Sequence, residues 1–296
     1  MHNTQHQLQL TNDGQLWVYF LGCGSAFSKV NYQTNFLIIK GDSHLLVDCG
    51  TTCSRALRQA GLTITDIRNV LITHSHADHV GGLEEMILMN RYVTGSKPQI
   101  AITPEYQRLL WNRTLRGGAE MNEVHGSRGL RFTDYWDVIR PRRVPAFPRD
   151  GRIFRIGDLS IRTFRTRHYP QQANRWQDSM YSVGLVIDER VFVSGDTQFD
   201  PQLIPEVIPE GAEWYFHDAQ LFPGGIHASL DELITLPPEI RSKMSLIHYG
   251  DNYENFLDTV DRHGFAGFTE PGVIYEFARE HTGPVTIPVV PAPASA

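Results

Sequence analysis

Four residues able to bind metal ions, His74, His76, Asp78 and His79, crowd into the six-residue heart of the segment THSHADHVGG. Core packing has no use for such a set. Imidazole offers either ring nitrogen to a divalent ion and carboxylate adds a harder, charged oxygen, so the mixture suits two ions roughly 3.5–4 Å apart. A loop this tight can aim two imidazoles one way and the other groups elsewhere, but further ligands must come from distant parts of the chain. His168, Asp196 and His248 are the candidates, each following an apolar, strand-like run, and the Asp196 carboxylate could bridge the two ions.

Such ligands converge only if the runs that carry them lie side by side. LWVYFLGCGSAF reads as a strand entering a glycine turn, and NFLIIK and HLLVDCG flank a turn at Gly41-Asp42-Ser43 as a hairpin. Thr52 to Ala60 reads as a short helix closed by Gly61, and Ile67 to Thr73 as a β-branched strand delivering the histidine cluster at its carboxyl end, where α/β sites usually sit. GGLEEMILMNRYV has helical spacing, with Glu84 and Glu85 in the first turn where the helix dipole favours them. Two hairpins follow, turning at Gly157-Asp158 and near Asp188-Glu189 and ending on His168 and Asp196; WYFHDAQ and MSLIHYGD are shorter strands that each finish in a histidine. The expectation is a single α/β domain over 1–296. It carries an Arg-rich insertion at about 98–151, whose breaker-rich segment RPRRVPAFPRDGR reads as a surface excursion, and a Pro/Ala-rich carboxyl-terminal extension at about 283–296.

Net charge is −6, yet residues 86–176 hold 17 Arg and Lys against 7 Asp and Glu. That asymmetry points to an anionic partner, because the planar fork of Arg fits phosphate, or to a salt-bridged surface. No apolar run nears the ~20 residues of a membrane helix and the polar start MHNTQHQLQL has no signal-peptide pattern, so no membrane partner and a cytoplasmic location are expected. Three cysteines, Cys23, Cys49 and Cys53, argue against a disulfide scaffold; the C-x3-C spacing of the last two lacks the second pair that a zinc site needs.

The HxHxDH pattern at His74 to His79, followed in order by His168, Asp196 and His248, resembles the metallo-β-lactamase superfamily over roughly residues 16–255. The resemblance implies a four-layer αβ/βα sandwich with the site at one edge of the paired sheets. It also implies two divalent metal ions, one taking His74, His76 and His168, the other Asp78, His79 and His248, with Asp196 between them. Ligands without thiolate suit zinc, and manganese or iron would fit the same set.

Within that superfamily, SGDT at Ser194 to Thr197 and the opening LGCGSAF are similar to motifs of ribonuclease Z and its phosphodiesterase relatives. HDAQ at His217 to Gln220 and HAS at His227 to Ser229 are similar to that branch's paired HEAT and HST motifs. Carried over, Asp218 holds a charged His227, which donates a proton to the leaving oxygen. Asp78 binds one ion and helps to position the attacking hydroxide held between the two. The chain departs from that branch in having Asp218 for Glu, Gln220 for Thr, and only 27 residues between His168 and Asp196. That interval leaves little room for the long arm with which a ribonuclease Z grips tRNA. The reading is therefore a phosphodiesterase for a nucleotide, cyclic nucleotide or RNA; the alternative is a lactone or thioester hydrolase using the same metals. Arg140, Arg142, Arg143 and Arg149 are expected to cap the site with phosphate contacts or to pack against a second subunit, as in a homodimer.

Overall fold

The computed structural model describes residues 7–278 and 284–288. Its first sheet is built from β1 (Leu16–Gly22), β2 (Asn35–Lys40), β3 (Ser43–Val47), β4 (Asn69–Leu71), β5 (Gln99–Ala101), β8 (Asp137–Ile139), β17 (Val273–Phe277) and β18 (Pro284–Pro288). A small hairpin, β6 (Val124–His125) and β7 (Arg128–Gly129), stands apart. The second sheet holds β9 (Arg142–Arg143), β10 (Arg152–Ile156), β11 (Leu159–Arg165), β12 (Val183–Ile187), β13 (Val191–Val193), β14 (Trp214–Asp218), β15 (Met244–Ile247) and β16 (Gly267–Phe268). The strand orders are β18-β17-β1-β2-β3-β4-β5-β8 and β16-β15-β14-β13-β12-β11-β10-β9.

Alternation along β1 explains the layering, since successive side chains point to opposite faces. Leu16, Val18 and Phe20 enter a core shared with the second sheet, where Phe20 meets Phe216 of β14 at 4.8 Å between ring centroids. Tyr19 and Leu21 enter a core shared with the helices Cys53–Gln59, Leu83–Met89 and Pro104–Leu110. The helices Leu203–Val207 and Leu230–Leu233 pack onto the second sheet, which completes four layers, αβ/βα. Among the described residues no helix is long and apolar enough to cross a membrane.

Much of the segment 98–151, expected as an insertion, is tied into the first sheet and its helical layer, while the stretch from Arg140 to Pro148 is largely exposed. β5 and β8 lie parallel to β4 in the first sheet, and Tyr106, Leu110, Phe132, Tyr135 and Trp136 are buried core. Strands of three residues set among charges are too short for a period-2 signal, and their pairing is with chain far away. Arg149 is a second correction. It is buried and donates to Glu206 at 2.6 Å and Asp200 at 2.8 Å, which leaves no fork for a substrate phosphate. Replacing Arg149 with Ala should lower stability by about 1–3 kcal/mol, because it strands two partly exposed carboxylates, and should leave KM unchanged; denaturant unfolding and steady-state kinetics check both halves. Of the expected carboxyl-terminal extension, 284–288 forms β18 on β17, an edge position where proline is tolerated; 289–296 lie outside the described residues.

Candidate metal centre

β3 and β4 run parallel, so their carboxyl ends emerge together. Asp48, one residue past β3 and in the left-handed region at φ 65°, accepts from the Thr73 N–H and hydroxyl, each at 2.7 Å. The same carboxylate faces His79 Nδ1 at 2.7 Å, which turns Nε2 of that ring inward. The chain then enters the one-turn helix Ala77–Val80. That turn settles against Gly50, where a Cβ would meet the Asp78 carbonyl oxygen at 1.9 Å. Only glycine permits this approach.

The second sheet brings the other groups. His168 follows β11, Asp196 follows β13, Asp218 ends β14 and His248 follows β15. β13, β14 and β15 are parallel, so their ends point the same way. Asp196 is reached through Gly195 at φ 59°, where a Cβ would lie 2.4 Å from the Val183 carbonyl oxygen. His248 itself is left-handed, at φ 60°. Such strained backbone persists where the surrounding structure holds it, and it gathers at functional sites.

All seven sequence-derived metal candidates meet here. His74 Nε2 and His168 Nε2 lie 2.9 and 3.2 Å from His76 Nδ1, and each lies 3.7 Å from Asp196 Oδ2. His79 Nε2 and His248 Nε2 lie 3.1 and 3.2 Å from Asp78 Oδ2, and 3.2 and 3.4 Å from Asp196 Oδ2. One carboxylate oxygen thus belongs to two four-atom groups. Ligands about 2.0–2.1 Å from a tetrahedral ion would stand roughly 3.3 Å apart; the distances above, from 2.9 to 3.7 Å, bracket that value, and all atoms of each group lie within 4.8 Å of one another. Asp196 Oδ2 and His79 Nε2 are buried without a hydrogen-bond partner. An orphaned buried anion and an orphaned ring nitrogen aimed at one point fit a cation between them.

The electrostatics of the two groups differ. Burial pushes His74 well below its ordinary range, lowers His76, and takes His168 down to about 4, only partly opposed by Asp196. Burial acts the same way on His79 and His248, but the carboxylates around them win: Asp196, Asp48 and Asp78 hold His79 well up, and Asp196, Asp78 and Asp218 hold His248 at about 9. Against the opposing effect of burial, His79 and His248 in turn depress Asp78. The group with two carboxylates is the one that demands positive charge. Metal ligation needs neutral imidazole, so a divalent ion held there would displace protons.

Beside these groups, Asp218 Oδ2 accepts from the Thr197 N–H at 2.9 Å and holds His227 Nδ1 at 2.7 Å. Its other oxygen faces His248 Nδ1 at 3.7 Å. The His227 side chain is 17% exposed, against 0–4% for His74, His79, His168 and His248. His217 turns its Nδ1 to the Asp218 carbonyl oxygen and joins neither group.

Asp48 escaped the sequence reading. The available signal was an acid ending a strand parallel to the one that delivers HxHxDH. A carboxylate on the far nitrogen of a ligating histidine fixes its tautomer and raises its basicity. Asp48→Asn should therefore weaken metal binding about 10- to 100-fold, read by titration with a competing chelator; unchanged affinity would remove this role.

Fold and centre together are those of a metallo-β-lactamase fold with two groups of metal-capable side chains at the strand ends. Among solved structures, the chain superposes on the metallo-β-lactamase fold protein YhfI from Bacillus subtilis (TM-score 0.62, 15% identity, 89% of this chain and 100% of that one). It also superposes on a diphosphatase from the PhnP family (TM-score 0.65, 14% identity, 89% and 98%). Residues 16–275 match the family model of Anti-Pycsar protein Apyc1, and the chain belongs to that family. It is 36% identical over 255 residues to the Anti-Pycsar protein Apyc1 of Bacillus phage BSP38, covering 84% of this chain and 94% of the relative.

Proposed function

We propose that this protein is a two-metal phosphodiesterase for small nucleotide diesters, cyclic nucleotides foremost. The observation that carries the reading is the pair of ligand groups sharing Asp196 Oδ2, with the Asp218-held His227 at their side. His74, His76, His168 and Asp196 would hold one ion, and Asp78, His79, His248 and Asp196 the other. Zinc suits these nitrogen and carboxylate ligands, as do manganese and iron. Bound ions would lower the pKa of water and neutralise charge growing on phosphoryl oxygens. The chain's own part is orientation and proton movement. Asp48 and the Ile226 carbonyl oxygen, 2.8 Å from His168 Nδ1, fix the faces that His79 and His168 present. Asp78, pointing inward beside His248, can also orient the attacking water. His227, bound through Nδ1, has Nε2 free to protonate a departing alkoxide.

That proton favours a phosphodiester, whose alkoxide leaving group needs it, over a thioester, whose thiolate leaves unaided. Substrate size is argued from the interval between His168 and Asp196. It holds a one-turn helix, Trp176–Asp178, and the strands β12 and β13, with no projecting arm to grip a polymer. The partner implied is thus a phosphate-bearing small molecule rather than long RNA. The test is turnover of bis(p-nitrophenyl) phosphate, 3′,5′-cyclic nucleotides, an RNA oligonucleotide, and lactone and thioester panels, using protein reloaded with the metal found by elemental analysis. Faster cleavage of the cyclic nucleotides is expected; preference for a lactone or thioester would overturn the reading.

A further inference from the structure

Five imidazoles contribute to the two ligand groups, and four of them are steadied on the side away from the centre. Asp48 faces His79 Nδ1 at 2.7 Å, and the Ile226 carbonyl oxygen faces His168 Nδ1 at 2.8 Å. The Thr73 hydroxyl lies 3.2 Å from His74 Nδ1, and Asp218 Oδ1 lies 3.7 Å from His248 Nδ1. His76 is the exception. It turns Nδ1 inward, toward His74 and His168, and its outward Nε2 meets no hydrogen-bonding group among the described residues. The torsion that sets an imidazole plane is broad, so the ring's own preference does not decide where Nδ1 points.

A flat ring takes the place of that polar partner. Tyr169 lies along His76 with ring centroids 4.5 Å apart and planes inclined by 32°, whereas His74 and His168 meet the same imidazole edge-on, at 78° and 72°. The backbone around Tyr169 is closely tied. Its carbonyl oxygen accepts from the Met180 N–H at 2.8 Å, and Gln198 Nε2 donates to the carbonyl oxygens of His168 at 2.6 Å and Pro170 at 3.3 Å. Arg165, at the end of β11, donates to the carbonyl oxygens of Ser179, Met180 and Ser182, and so straps the far side of the same loop to the sheet. Its guanidinium sits 5.1 Å from the ring centre of Tyr181, which stacks on Tyr106 at 4.3 Å. The Tyr106 hydroxyl in turn lies 3.1 Å from that of Ser75, the residue between His74 and His76. Tyr169 and His76 are therefore held against one scaffold.

We infer that Tyr169 is a positioning residue for the metal centre: its ring face fixes the plane of His76 and keeps Nδ1 aimed at the point shared with His74, His168 and Asp196. This rests on the two-metal reading and goes beyond it. Stacked flat rings restrict each other's rotation, so the effect belongs to the shape of the ring and not to its hydroxyl. It is also confined to one ligand group. The Tyr169 ring meets those of His74, His76 and His168, at 6.0, 4.5 and 5.1 Å between centroids, and neither His79 nor His248.

The test is metal affinity, read by titrating the metal-free protein with zinc against a competing chelator. Tyr169→Ala and Tyr169→Leu should each weaken one of the two ions about tenfold and leave the other within about twofold, while Tyr169→Phe should bind both as the wild type does. Leucine is the deciding variant, because it fills much of the space without a flat face. A loop that needs only an apolar plug would treat Leu like Phe, and that result would overturn the inference. So would a Phe variant as weak as Ala, which would assign the effect to the hydroxyl, or equal weakening of both ions, which would mark a general collapse of the loop. Each of these outcomes leaves the two-metal reading intact if the wild-type protein binds two zinc ions. Wild-type protein that binds fewer ends that reading and this inference together.

Discussion

Replacing Asp196 with Asn should reduce phosphodiester hydrolysis by at least about a thousand-fold and leave at most one of the two metal ions proposed for the centre. The size of the effect follows from geometry. Asp196 Oδ2 is the one atom common to both ligand groups, between 3.2 and 3.7 Å from four imidazole nitrogens, and it has no hydrogen-bond partner. Asparagine keeps the shape and discards the charge. It can also turn an N–H toward positions that call for an acceptor, so each group loses its shared anion at once. Loss of any single histidine removes one ligand from one group and should be the milder lesion. Elemental analysis of the purified variant, beside turnover of bis(p-nitrophenyl) phosphate, measures both quantities. A variant that kept two ions and its rate would contradict the sharing of this oxygen.

The second large effect is selective. His227→Ala should leave metal content unaltered and lower kcat for alkyl phosphodiesters by roughly 10²–10⁴-fold, the usual contribution of a positioned general acid. With a p-nitrophenolate leaving group the loss should shrink to a few-fold, since that anion departs without a proton. The contrast matters because His227 lies 3.9 Å from Asp196 Oδ2, close enough for a truncation to disturb the ligand groups themselves. Damage of that kind would depress both substrates alike and would show in the metal analysis. A proton-transfer role depresses only the substrate with the poor leaving group. Asp218→Asn should follow the same pattern more weakly, because the imidazole remains while the carboxylate that holds its Nδ1 at 2.7 Å is gone.

Much of the centre is legible in the sequence because its parts are local or periodic. HxHxDH is a contiguous string, and His168, Asp196 and His248 follow runs such as VFV before Gly195-Asp196 and MSLI before His248, whose strand character is plain. The similarity of SGDT, HDAQ and HAS to known motifs singled out Asp218 and His227, which the structure sets 2.7 Å apart.

What stayed hidden depends on contacts between distant segments. Asp48 looks like any acid after a strand until β3 pairs parallel with β4 and lays its carboxylate against Thr73 and His79. Arg149 reads as one arginine of a basic, proline-broken stretch, and only packing places Asp200 and Glu206 around its guanidinium. β5 and β8, three residues each, have no periodicity to announce them and become strands because β4 offers its edge to β5, and β5 in turn to β8.

The sequence by itself determined which metal-capable groups are on offer: imidazoles and carboxylates in a spacing with no packing purpose, placed where strands end. Tertiary structure decided which ring nitrogen faces inward, that a single Asp196 oxygen serves both groups, and which arginines are consumed in ion pairs. The reason is physical. Residue type sets what a group can bind and local pattern sets the element that carries it, whereas orientation, burial and partner choice are fixed only when both sheets close on each other and desolvate the groups between their ends.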